Sequence, residues 1–164
     1  MVTRFSLILA SIATVGLGVL TATSFDSAVR YMGIDRWQRL HNTVYVLTAF
    51  ALVHYLLSPD VYAEQYLLSG IFFWLMGWRF LNHRGQATGV VALVALAVAS
   101  CLFTMLLEAS WLRIYQGFAF METIAGNFVL VEDPSPASKV LILGLLVAVV
   151  GSVRRASRLD LTGS

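Results

Sequence analysis

Charge is scarce in this chain of 164 residues. Asp, Glu, Lys and Arg together make up 12%, against 59% for the hydrophobic set. A soluble domain carries about 25% charged residues, and so few cannot cover a water-facing surface. The shortage argues against a cytosolic enzyme and against a disordered protein. The net charge of +2 has no basic cluster apart from helix ends, so nucleic acid is not an expected partner. Cysteine occurs once, at Cys101 inside an apolar run, which excludes an internal disulfide and a Cys-type metal site. There is no phosphate-binding glycine loop, no zinc spacing, no Ser/His/Asp set, no internal repeat and no low-complexity tract. Nothing points to hydrolysis.

What is present is a set of long apolar runs. Five approach the roughly 17–25 residues needed to cross a bilayer, at about 5–23, 37–57, 62–81, 88–107 and 140–153. The last is the shortest and has room to begin at 137. No alternating barrel pattern appears, and a backbone in lipid must satisfy its own hydrogen bonds, so these are helices. The expected fold is all-α: a polytopic transmembrane bundle of about five spans, forming one domain over 1–164. Residues 24–36 read as a short interfacial turn of helix broken at Gly33, with Asp35 as N-cap of the second span. Residues 58–61 read as a tight turn, and Asn82-His83-Arg84-Gly85 as the stop of the third span. In the long link 108–139, residues 111–130 read as an amphipathic helix at the interface, and 132–136 as loop.

Arginine and lysine placement sets orientation. Arg30, Arg36, Arg39, Arg79, Arg84, Arg154, Arg155 and Arg158 fall on one side, and Arg4, Arg113 and Lys139 on the other. The link 24–36 and the C-terminus are therefore expected in the cytoplasm. The link 108–139 and the N-terminus are expected outside. A cleaved signal peptide over the first span fits poorly, because Thr21-Ala22-Thr23-Ser24 is a weak cleavage site. An odd number of further spans upstream is the expectation that accounts for an outside N-terminus.

Ionisable residues within a span are costly and usually functional. The second span holds His41 near its cytoplasmic end and His54 near its outer end, thirteen residues and about 20 Å apart on a helix. One imidazole at each side of the bilayer suits two stacked b-type hemes, each taking one axial ligand from this helix. In an ideal helix thirteen residues rotate by roughly 220°. Sharing a face therefore needs local tightening, bending or two differently placed clefts. Other readings stay open: His41 as an interfacial polar residue beside Arg36 and Arg39, and His54 as an interhelical hydrogen-bonding group. His83 reads as a solvated helix end.

The residues Leu20-Thr21-Ala22-Thr23-Ser24, Val29-Arg30-Tyr31-Met32-Gly33, Arg36-Trp37-Gln38-Arg39-Leu40-His41-Asn42-Thr43-Val44-Tyr45 and Leu52-Val53-His54-Tyr55 form a recognisable series. It resembles the heme-binding membrane subunit of bacterial protein-methionine-sulfoxide reductase, the MsrQ/YedZ family of the ferric reductase-like transmembrane superfamily. Leu107-Glu108-Ala109 with Trp111 is similar to a stretch in longer relatives. The resemblance implies an inner-membrane electron carrier with heme b, and with FMN in some members. Its electrons come from a cytoplasmic flavin reductase and pass to a periplasmic molybdopterin subunit that reduces methionine sulfoxide. His41 and His54 match the family's two histidines of the later ligand helix. The family has three further spans upstream, the third with another ligating histidine, so this chain is expected to lack part of the ligand set.

Arg36 and Arg39 are candidates for heme propionates or a flavin phosphate, with topology determination as the alternative. Ala10, Thr14 and Gly18 offer a small-residue packing stripe, and Gly70 and Gly77 are packing candidates. Glu108 reads as an interfacial acid, a partner for Arg113 or a docking group. Two other functions remain at this stage: the membrane domain of a ferric-chelate reductase, and a non-redox assembly or transport subunit.

Overall fold

A computed structural model describes residues 2–58, 63–85, 89–128 and 133–162, with side chains described except at 2, 3 and 154–162. Among the described residues every regular element is helical: α1 (Val2–Ala22), α2 (Asp26–Met32), α3 (Ile34–His41), α4 (Val44–Leu56), α5 (Ala63–His83), α6 (Val90–Gln116), α7 (Phe120–Gly126) and α8 (Pro136–Thr162). Among the described residues three segments are long and apolar enough to cross a membrane: Arg4–Ala22, Val90–Gln116 and Pro136–Val153. α4 has 13 residues, too short by itself. α5 has 21 residues but carries Glu64, Gln65, Arg79 and Asn82 near its ends, which lowers its hydropathy. The expected turn at 58–61 and the side chains of Arg154, Arg155 and Arg158 lie outside the described residues. The chain divides into two compact units, residues 1–61 and 62–164.

In the first unit α1 packs on α4. Its buried face is Ser6, Leu9, Ala13 and Leu20, the three-and-four spacing of one helical stripe. The stripe of Ala10, Thr14 and Gly18 is therefore not the face that packs on α4. A Cβ at Gly18 meets nothing within 4 Å, whereas one at Gly16 comes within 2.5 Å of the Leu47 methyls. Two residues turn a helix by about 200°, so only one of these glycines can face α4. Gly33 breaks the link as expected: its φ of 78° is open to glycine at little cost, and it ends α2 and starts α3. Gly33 rather than Asp35 is the N-cap of α3. Asp35 sits within the first turn, where its charge suits the helix dipole.

The run expected to form the second span is interrupted. α3 stops at His41 and α4 starts at Val44, with Thr43 N bonding Leu40 O at 3.0 Å and Tyr45 N bonding Asn42 O at 3.4 Å. These are i→i−3 bonds, the tighter 3₁₀ pattern. The Thr43 hydroxyl also donates to Leu40 O at 2.7 Å, a local bond that competes with the regular ladder.

The second unit packs α5, α6 and α8 together. Glycines mark the close approaches. A Cβ at Gly70 would strike Thr104 and Val140, and one at Gly77 would strike Leu96, as their packing role requires. Gly144 lies 2.6 Å, from its ideal Cβ, to Ala97 Cβ. Buried hydroxyls bond back to their own helices: Ser69 to Gln65 O at 2.7 Å, Ser100 to Leu96 O at 2.8 Å and Thr104 to Ser100 O at 2.8 Å. Such bonds satisfy hydroxyls that have no water. The link after α6 departs from expectation. Residues 111–116 continue α6, which ends where Gly117 turns left-handed at φ 73°. No earlier glycine or proline stops α6, and among the described residues of the link the seven-residue α7 follows. Ser135 caps α8: the Ser138 N–H donates to its Oγ at 3.2 Å, with Pro136 in the first helical position.

Candidate functional site

The site is built in the first unit, where His41 of α3 and His54 of α4 turn toward α1. His54 is half-buried on α4. Its Nδ1 lies 2.7 Å from Ser6 Oγ and 3.0 Å from the Ser6 carbonyl oxygen. Ser6 is itself buried, at 5% exposure. At the other end His41, the last residue of α3, has Nε2 at 3.2 Å from Thr23 Oγ1, just past the end of α1. Ser6 and Thr23 are seventeen residues apart, about 25 Å along a helix. The two imidazoles therefore meet opposite ends of the same neighbour.

The interruption at Asn42 and Thr43 helps to bring this about. Ideal helix geometry sets the two side chains about 140° apart. Each residue in 3₁₀ geometry turns about 120° instead of about 100°. Two such residues, Asn42 and Thr43, reduce the separation to roughly 100°, closer to the arc that one packed helix covers.

The surroundings of the two rings differ. Trp37, one turn before His41, stacks on it with ring centroids 4.2 Å apart and planes 27° apart. Its Nε1 donates to Thr23 O at 2.9 Å. Trp37 thus ties α3 to the end of α1 and braces the imidazole in one move. Arg36 and Arg39 are exposed. Arg39 Nε reaches Asp35 O at 3.4 Å. His83, at the end of α5, is exposed, as a solvated helix end should be.

The donor chemistry fits an iron porphyrin one ligand at a time. Each ring is held through one nitrogen, which leaves a second nitrogen to bind. Among the described residues no three His, Cys, Asp or Glu side chains cluster as a metal site. Each end offers one imidazole, so any second ligand to a heme held there would have to come from outside this pair. In the second unit Glu108 pairs with Asn127, whose Nδ2 donates to Oε2 at 3.0 Å. Sequence spacing gives no sign of that partner nineteen residues away, or of Ser6 and Thr23 as partners of the histidines.

Comparison with known proteins finds partial relatives. Over 78 residues the chain is 37% identical to the protein-methionine-sulfoxide reductase heme-binding subunit MsrQ of Polaromonas naphthalenivorans, a stretch covering 46% of this chain and 36% of that protein. The chain is related to the MsrQ family. MsrQ of Salmonella arizonae is 43% identical over 65 residues, 40% of this chain and 32% of that protein. The magnetosome protein MamZ of Magnetospirillum gryphiswaldense is 33% identical over 67 residues, 40% of this chain and 10% of that protein. The chain thus spans about a third of the length of the MsrQ proteins it matches. No protein-family model matches it, and no solved structure does. With its apolar helices, this relationship makes the chain a membrane protein.

Proposed function

We propose that this chain is a heme-binding electron-transfer subunit of the bacterial inner membrane, serving methionine-sulfoxide reduction. The observation that carries the reading is the pair of imidazoles at opposite ends of one helical span, both turned to α1 and each held through a single nitrogen. His41 and His54 are the proposed axial ligands. A bound b heme supplies an iron that changes charge by one electron without needing an open coordination position. Arg36 and Arg39, exposed at the α3 end, pair with propionates or with the phosphate of FMN.

In this reading the chain crosses the membrane five times, through α1, α3 with α4, α5, α6 and α8. Together α3 and α4 cover residues 34–56, about 34 Å of helix, which matches a hydrocarbon core of about 30 Å. The arginine-rich links and the C-terminus lie in the cytoplasm, and the N-terminal end of α1 lies in the periplasm. Electrons enter from a cytoplasmic flavin reductase on the His41 side. They leave on the His54 side to a periplasmic molybdopterin sulfoxide reductase.

The test is the dithionite-reduced minus oxidised absorbance spectrum of the detergent-purified chain from heme-replete cells. A b-type signal that falls in His54→Ala and in His41→Ala, and persists in His83→Ala, is the expected result. A signal unchanged in the double variant sinks the assignment. The hydrogen bonds to Ser6 and Thr23 favour one competing role, in which the imidazoles only join helices. A colourless protein from such cells, in a version extended upstream that can supply a second ligand as well as in this chain, selects that role.

A further inference from the structure

We propose that Ser6 is a positioning residue that fixes which nitrogen His54 presents. The argument starts from the carbonyl. Nδ1 of His54 lies 3.0 Å from the Ser6 backbone oxygen, and a carbonyl oxygen has no proton to give. The contact is a hydrogen bond only when Nδ1 carries the proton. The Ser6 hydroxyl, 2.7 Å from the same nitrogen, then accepts as well. A neutral imidazole has one N–H, so Nε2 keeps its lone pair. Metal-bound histidines commonly donate the other ring N–H to a carbonyl or similar acceptor, which fixes the tautomer and raises ligand basicity. His54 is arranged in this way by one residue of α1, buried at 5% exposure on the face that packs on α4.

His41 is held in the opposite sense. Thr23 Oγ1 already gives its proton to the backbone, at 2.9 Å from Val19 O and 3.1 Å from Leu20 O. It can therefore only accept from His41 Nε2, which places the proton on Nε2 and the lone pair on Nδ1. The two ends of the span are unequal. His54 is set to bind through Nε2 as it stands, whereas His41 must leave Thr23 to do the same.

What Nε2 of His54 binds rests on the heme reading; the tautomer does not. Two measurements on the full chain separate them. The first is the ¹⁵N spectrum of histidine-labelled protein from heme-limited cells, with His54 assigned by loss of its signals in His54→Gln. A protonated Nδ1 and an unprotonated Nε2 are expected in the wild type and in Ser6→Thr. Ser6→Ala is expected to show a measurable share of the other tautomer. An Nε2-protonated His54 in the wild type overturns the assignment. The second is the midpoint potential of heme-loaded protein. Loss of the hydroxyl acceptor weakens the ligand and raises the potential in Ser6→Ala, and Ser6→Thr restores it. Equal potentials in wild type and Ser6→Ala also overturn the role of Ser6, while leaving heme binding in place. If neither the wild type nor a version extended upstream to supply a second ligand holds heme, the heme reading fails and the ¹⁵N result alone decides for or against Ser6.

Discussion

Three glycine-to-alanine substitutions should separate cleanly in stability, because the added methyl meets three different surroundings. At Gly144 the new Cβ would lie 2.6 Å from Ala97 Cβ, 3.1 Å from Ala97 Cα and 3.1 Å from Trp74 Nε1. Ordinary carbon contacts are about 3.5–4.0 Å, so α6 and α8 must part by about 1 Å. Ala97 has no flexible end to move aside. Overpacking of this kind costs about 1–3 kcal/mol, and the better helix propensity of alanine returns about 1 kcal/mol. The net expectation for Gly144→Ala is a loss of about 1 kcal/mol. At Gly16 the obstacle is the pair of Leu47 methyls at 2.5 and 2.6 Å, the far end of a side chain that can turn. A displaced rotamer costs about 0.5–1.5 kcal/mol, which the propensity gain roughly cancels. At Gly18 nothing lies within 4 Å, and Gly18→Ala should gain up to about 1 kcal/mol. Equilibrium unfolding in mixed detergent, followed by tryptophan fluorescence, reads the order directly. A Gly144→Ala protein as stable as wild type, or a Gly18→Ala protein as weakened as Gly144→Ala, would refute the packing faces assigned to these helices.

Other expectations follow from single contacts. Trp37→Phe keeps a ring against His41 but loses the 2.9 Å bond from Nε1 to Thr23 O; it should cost about 1 kcal/mol and increase the reaction of His41 with diethyl pyrocarbonate. Asn127→Ala removes the donor at 3.0 Å from the Glu108 carboxylate. A bond to a charged group is worth about 1.5–3 kcal/mol, a loss that detergent unfolding can resolve. Gly117→Ala forces a side chain into a left-handed position at φ 73° and should cost about 1 kcal/mol, whereas Gly126→Ala, with nothing within 4 Å of its Cβ, should not destabilise.

The helices were legible in the sequence because apolar run length is a strong signal in a chain so poor in charge. Gly33 was legible as a break, and Gly70 and Gly77 as close approaches. The faces of α1 were not. A helix apolar on all sides has little periodicity, so Ala10, Thr14 and Gly18 looked as good a seam as the one centred on Gly16. The actual seam depends on where Leu47 sits, a residue of another helix. The end of α6 was misplaced because Glu108 and Trp111 look like an interface in sequence, while backbone hydrogen bonding continues until a residue stops it. At the site, the presence of both histidines on the segment beside α1 could be read from spacing. Their nitrogens could not, since these depend on Ser6 and Thr23, distant in sequence and unremarkable as residue types.

The break between α3 and α4 offers the sharpest check on how the site is assembled. Thr43 bonds its own backbone at Leu40 O through its hydroxyl, and the amides of Thr43 and Tyr45 bond three residues back. Replacing Asn42 and Thr43 together by leucine removes the competing hydroxyl and supplies residues that prefer a regular helix. A continuous α-helix across 34–56 would take back the roughly 40° gained from the two 3₁₀ residues. His41 and His54 cannot then both reach α1. His54 is held by two contacts with the buried Ser6, and His41 by one longer contact at 3.2 Å at the exposed end, so His41 is the ring that should let go. Diethyl pyrocarbonate modification, read by mass spectrometry, should rise at His41 and stay unchanged at His54. Unchanged reactivity at both would mean that the tightened turn does not set the angle between the rings. The approach of both imidazoles to α1 would then have to come from the bend of the helix axis alone.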